Sequence, residues 1–124
     1  MYYNKVTLVG RLTKDPMVQE FEKNKKRAFF TLAIDRGYPD TKGKKIKDFI
    51  SIICWHKLAD VCEELLKKGN LILVDGKIHT REYKKDGESQ YVTEIVADRI
   101  KFLNPKPEEK NENTSDLPRT ENDY

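Results

Sequence analysis

Four side chains spaced two apart, Phe49, Ser51, Ile53 and Trp55, alternate with Ile50, Ile52 and Cys54. Strand side chains point alternately to opposite faces, so one face of this stretch would be aliphatic and the other would carry two aromatic rings. Phe49 and Trp55 then share a face roughly 20 Å apart at ~3.3 Å per residue, a spacing that suits two separate bases better than one core cluster. A second stretch repeats the arrangement with cations. Ile72, Val74 and Ile78 share one face, while Asp75, Lys77, His79, Arg81 and Tyr83 occupy the other. A solvated face would be merely polar. Rings that can stack on bases, interleaved with cations that can hold phosphates, suit a single-stranded nucleic acid. A third ring, Tyr38, lies in a segment with Lys42, Lys44, Lys45 and Lys47 and is expected to contribute in the same way.

No other chemistry is indicated. His56 and His79 are the only histidines and Cys54 and Cys62 the only cysteines, with no short-spaced pairs of metal-ligand type. The chain is therefore expected to hold neither metal nor cofactor. The cysteines fall on the apolar faces of a strand and a helix and read as small buried hydrophobes without a disulfide. The carboxylates are scattered over turns and the C-terminal segment, which argues against a nuclease or deaminase.

Elements that could position these residues follow from periodicity. The first strand spans 4–12, with Val6, Leu8 and Leu12 inward and Gly10 on the same row; it breaks at Thr13-Lys14-Asp15-Pro16, with a short continuation at Val18–Phe21. A second strand spans Arg27–Arg36, with Ala28, Phe30, Leu32 and Ile34 inward. Residues 37–47 read as a loop, and the third strand covers Asp48–Trp55. Leu58, Val61, Cys62 and Leu65 define a helix over Lys57–Lys68, with Gly69 as its left-handed stop. The fourth strand spans Leu71–Tyr83. Asp86-Gly87 turns it into a fifth, Gln90–Leu103, with apolar residues on both faces, as in a barrel-closing strand or one with a subunit contact. Three strands, one helix and two strands is the order of an all-β OB-fold, a five-stranded Greek-key barrel with one helix between strands three and four.

Composition agrees with one domain. The 124 residues are 37% hydrophobic and 36% charged, and no apolar run approaches the about 18 residues of a membrane helix. The start, Met1-Tyr2-Tyr3-Asn4-Lys5, lacks the apolar core of a signal peptide, so a cytoplasmic location is expected. Residues 104–124 carry three basic side chains against six acidic ones, so a chain of net charge +3 has a body, 1–103, of +6. A basic body suggests a polyanionic partner. The proline-containing, acidic tail is too poor in large apolar residues to offset the entropy of ordering it and is expected to be disordered.

The residues also carry a resemblance. Asn4-Lys5-Val6-Thr7-Leu8-Val9-Gly10-Arg11-Leu12-Thr13-Lys14-Asp15-Pro16 resembles the opening of bacterial single-stranded DNA-binding proteins. Asp48-Phe49-Ile50, Lys57-Leu58-Ala59, Leu66-Lys67-Lys68-Gly69, Val74-Asp75-Gly76-Lys77, Thr80-Arg81-Glu82-Tyr83 and Tyr91-Val92-Thr93-Glu94 follow in that family's order. The resemblance implies a homotetramer of OB domains that binds single-stranded DNA without strong sequence preference during replication, recombination and repair, associated with the nucleoid. It places Tyr38, Phe49, Trp55 and Tyr83 as base-stacking rings and Lys57, Lys68 and Arg81 at positions often basic. With the pattern above, the candidate contact set is completed by Arg36, Lys44, Lys77 and His79. The family's acidic tail tip docks replication and repair enzymes; here Asp123 and Tyr124 would serve. An OB-fold interaction module of the replication-restart type, dimeric and also non-catalytic, is the alternative.

Overall fold

The computed structural model describes residues 1–22 and 24–104. The expected tail, with Asp123 and Tyr124, lies outside the described residues. The elements are β1 (Val6–Leu12), β2 (Met17–Glu20), β3 (Lys26–Pro39), β4 (Lys45–Trp55), α1 (His56–Leu65), β5 (Leu71–Lys85) and β6 (Glu88–Phe102). They form one sheet in the order β1-β5-β6-β4-β3-β2, which closes on itself through a β1–β3 pairing at Arg11↔Ala33 and Leu12↔Leu32. Five of the strands make the barrel. The sixth, β2, is the continuation of β1 beyond the proline break and extends the same edge of β3. The molecule is an OB-fold.

Binary patterning explains the core. Ala28, Phe30 and Leu32 on β3 face Ile52 and Cys54 on β4, and Ile72 and Val74 on β5 and Ile95 and Ala97 on β6 join them in one buried cluster. α1 covers one end of the barrel with Ala59 and Cys62. Cys54 and Cys62 are fully buried as free thiols with sulfurs 3.3 Å apart. The neighbouring Cys62 sulfur and burial together push the Cys54 thiol far up, so it stays protonated.

Several expected boundaries move, each for a local reason. β1 starts at Val6 rather than residue 4 because Asn4 takes over the pairing with its side chain, which donates to the Ile78 carbonyl and accepts from the Ile78 N–H, both at 2.9 Å. Residues 37–47 are a hairpin rather than a loop: β3 runs to Pro39, β4 begins at Lys45, and the pairing slips between Asp35 and Pro39, where Gly37 is left-handed. Asp40 closes the turn by accepting from the N–H groups of Lys42 and Lys44. The helix ends at Leu65, three residues early, because Leu66 turns to extended backbone and buries its side chain. Lys67 and Lys68 therefore lie beyond the last turn. Gly69 is left-handed as expected, but it serves the α1–β5 turn, which is pinned to β1 by a 2.9 Å bond from its N–H to the Leu12 carbonyl.

The aliphatic row of β5 is shorter than its alternation suggests. Ile72 and Val74 are buried, whereas Ile78 is 45% exposed, because β5 and β6 continue past the barrel as a long two-stranded arm. The departure begins at a bulge, where Asp98 is unpaired between Asp75↔Arg99 and Gly76↔Ala97. Gly76 permits it, since a Cβ there would run into the Val96 carbonyl oxygen. Gly76→Ala is expected to destabilise the fold by about 1–3 kcal/mol through this overlap, read from the midpoint of denaturant unfolding.

Candidate nucleic-acid interface

The site is built by register. Directly opposed residues of an antiparallel pair share a face, so the outer row of β4 meets that of β3 as Phe49/Ala33, Ser51/Thr31, Ile53/Phe29 and Trp55/Arg27. β2 adds Met17 beside Phe29 and Gln19 beside Arg27. On the other side of β4, Ile53 lies level with Val96 of β6, and Val96, Glu94, Val92 and Gln90 pair with Lys77, His79, Arg81 and Tyr83 of β5. One continuous face therefore holds Phe49, Trp55, Lys77, His79, Arg81 and Tyr83. The β5–β6 arm and the β3–β4 sheet form the sides of a cleft of about 210 Å³, lined by Arg27, Phe29, Ser51, Ile53, Arg81, Val92 and Glu94.

The rings are displayed rather than packed. Phe49 is 63% exposed, Tyr38 59%, Tyr83 41% and Trp55 37%. Ile53, expected on this outer row, is nonetheless buried beneath the cleft, which makes it floor rather than contact surface. Tyr38 stands at the β3–β4 hairpin, lining a cleft with Asp35, Pro39 and Lys45, and Lys44 is exposed in the same turn.

The cations divide. Lys57 is exposed in the first turn of α1, two residues from Trp55, and Lys77 and His79 are exposed on the face itself. Lys68 is exposed but sits on the turn after α1, off the strands that carry the rings. Arg36 falls on the parity of the inner row, at the barrel rim. Its guanidinium makes a two-pronged pair with Asp48, at 2.9 and 2.8 Å. That pair raises the Arg36 pKa, to which the Tyr38 hydroxyl adds a smaller share, and lowers that of Asp48, so both stay charged and largely cancel. Arg81 is half-exposed, and its Nε donates to both carboxylate oxygens of Glu94 at 3.1 and 3.3 Å.

Two features had no signal in the sequence. Glu94 is a buried carboxylate in the cleft wall, yet its position reads as one more alternating residue of β6. Around Trp55, a cluster forms from residues distant in the chain. The Phe21 ring stacks on it with centroids 6.3 Å apart, and the Arg27 guanidinium lies within 5.1–5.9 Å of the rings of Phe21, Phe29 and Trp55. The β2–β3–β4 register, which strand patterns cannot supply, brings these together. Among the described residues no group of three or more His, Cys, Asp or Glu side chains could hold a metal ion, and no helix is long and apolar enough to cross a membrane.

A closed five-stranded barrel with rings and cations on one open face is a nucleic-acid-binding OB module in form. Comparison makes it specific. The model of the single-strand binding protein family matches residues 3–103. A single-stranded DNA-binding protein of Caldanaerobacter subterraneus subsp. tengcongensis is 43% identical over 123 residues, covering 92% of this chain and 82% of that protein. Single-stranded DNA-binding protein 3 of Listeria innocua is 42% identical, covering 98% and 76%. Among solved structures, the Plasmodium falciparum SSB in complex with ssDNA superposes with a TM-score of 0.75 at 26% identity, covering 84% of this chain and 97% of that one. The chain belongs to the single-strand binding protein family.

Glu94 and Arg81 are the charged pair of the cleft. Glu94→Gln, Arg81→Gln and the double variant are expected to show a coupling above about 0.5 kcal/mol in a thermal or denaturant double-mutant cycle, because loss of Arg81 leaves a buried carboxylate unpaired.

Proposed function

We propose that this protein binds single-stranded DNA without strong sequence preference, and so protects and organises it during replication, recombination and repair. The observation that carries this is the exposure of Phe49, Trp55 and Tyr83 on one face with Lys77, His79 and Arg81, in a barrel of this family. Stacking accepts any base, because every base has a flat face. In proteins of this class it is generally worth about 1–3 kcal/mol per base, a class value adopted here. Tyr38 extends the path along the hairpin, with Lys44 and Lys57 beside the rings, and Lys68, farther off on the turn after α1, as proposed phosphate contacts. Duplex DNA offers no free base faces and would bind weakly. The action is binding without chemistry, and residues 1–103 are its unit. A cytoplasmic, nucleoid-associated location follows from that role.

The assembly proposed is a homotetramer. Val9 and Ile78 are 44% and 45% exposed on the single chain, and Val6, Leu8, Ile50, Ile78 and Ile95 line a further cleft of about 470 Å³ that Phe49 borders; partner subunits would cover its aliphatic side and leave the Phe49 ring at its edge to DNA. Four joined domains would add avidity along one strand. For the C-terminal segment, Asp123 and Tyr124 are proposed from the sequence alone as contacts for replication and repair enzymes.

Trp55 is the only tryptophan, which makes binding directly visible. Oligo-dT is expected to quench its emission, salt to reverse the quenching, and duplex of equal length to leave it nearly unchanged. Phe49→Ala should weaken binding by about 1–3 kcal/mol. Unchanged emission alongside tight binding would remove Trp55 from the contact face. Mass in solution should correspond to four chains; two chains would favour the dimeric interaction module.

A further inference from the structure

We infer that Phe21 and Arg27 form an additional nucleotide subsite adjoining Trp55, so that the DNA path continues past the end of β4 and over the β2–β3 edge. The inference rests on the single-stranded DNA reading above and extends it to residues that reading does not use.

Phe21 follows β2 directly and is 51% exposed, so the core gains little from it. Its backbone is held by the turn that follows: its N–H donates to the Lys25 carbonyl at 2.9 Å, and the Lys25 N–H donates to the Glu22 carbonyl at 3.0 Å. The ring is thus presented at a fixed place beside Trp55, at 6.3 Å between centroids and 29° between planes. That spacing exceeds the about 3.4 Å step between neighbouring bases along one duplex strand. Adjacent bases could therefore occupy the two rings only when unstacked from each other, which is the condition of an extended single strand.

Arg27 supplies the charge. Arg36, Arg81 and Arg99 are each paired with a carboxylate, whereas Arg27 has no carboxylate partner among the described residues. Its Nη2 donates to the Gln19 side-chain oxygen, and its Nε is buried without an acceptor. The guanidinium is held by the surrounding rings, at 5.1 Å from Phe21 and 5.9 Å from Trp55. A positive charge left uncancelled between two exposed rings attracts the phosphate that links the two bases. Lys26, its neighbour in the chain, cannot replace it, being tied to Asp60 and Glu63 at 2.8 and 2.7 Å.

The test uses the full chain and oligo-dT. Phe21→Leu keeps apolar bulk against Trp55 but removes the flat ring; it is expected to weaken binding about fivefold or more. Arg27→Gln is expected to lower the slope of log affinity against log salt by about one per protomer. Leu65→Gln, at a half-exposed position in the last turn of α1 that lines neither cleft beside the rings, serves as the control and should bind as the wild type does. On the unaltered chain, ultraviolet crosslinking to an oligonucleotide carrying 5-iododeoxyuridine should label Phe21 as well as Trp55, read by mass spectrometry of peptides, and this arm needs no variant to fold. If the wild type binds oligo-dT but Phe21→Leu binds equally well and Phe21 is unlabelled, the subsite is wrong and the parent reading stands. If the wild type ignores oligo-dT at low salt, both fall together.

Discussion

The antiparallel register of β3 against β4 is the constraint on which the rest depends. Side chains alternate with a period of two, so one register places Ala28, Phe30, Leu32, Ile52 and Cys54 inside the barrel and leaves Phe49 and Trp55 outside. A slip of one residue in either strand would exchange the two rows and place rings in the core and aliphatic groups in water. The buried row thus decides where the rings stand, and the energy of the core indirectly holds the contact face in place. Gly10 and Gly76 enforce the same closeness elsewhere. A Cβ on Gly10 would lie 2.5 Å from the Ala33 carbonyl oxygen, where β1 crosses β3 to close the barrel.

Charge on the molecule is partitioned as well as abundant. Asp48 neutralises Arg36 at the rim, Glu94 restrains Arg81 in the cleft, and Asp75 ties β1 to β6 by accepting from Thr7 at 2.6 Å and from Arg99 at 3.0 Å. These pairs organise the barrel edges. The cations left on or near the rings, Lys44, Lys57 and Lys77, are exposed. Positive charge at a water-exposed surface is inexpensive to maintain and is available to a polyanion. Counting basic residues in the sequence cannot separate these two groups, because the distinction lies in the distance to a carboxylate from another strand.

The exposed apolar surface has a similar division. Trp55, Tyr83 and Tyr38 stand apart from the apolar cleft lined by Val6, Leu8, Ile50, Ile78 and Ile95, and Phe49 borders it. Rings with polar edges nearby suit transient stacking on bases. An aliphatic patch has no such partner in DNA and suits protein.

The amino-acid order by itself determined the strand–helix–strand sequence, the inward rows apart from Ile78, the buried cysteines and the outward placement of Phe49, Trp55 and Tyr83, because alternation and helical periodicity are local and survive without knowledge of neighbours. It misread residues 37–47, where glycine, proline and lysines resemble a loop although Asp40 closes a hairpin. It also extended α1 past Leu65, since helical spacing carries no notice that Leu66 has a core to enter. Only the tertiary structure decided which cations are cancelled, that Glu94 is buried, that Ile53 is floor, and that Phe21, Arg27 and Phe29 gather around Trp55. Each of these depends on which strand lies beside which and in what register, a pairing between distant segments that no local pattern encodes.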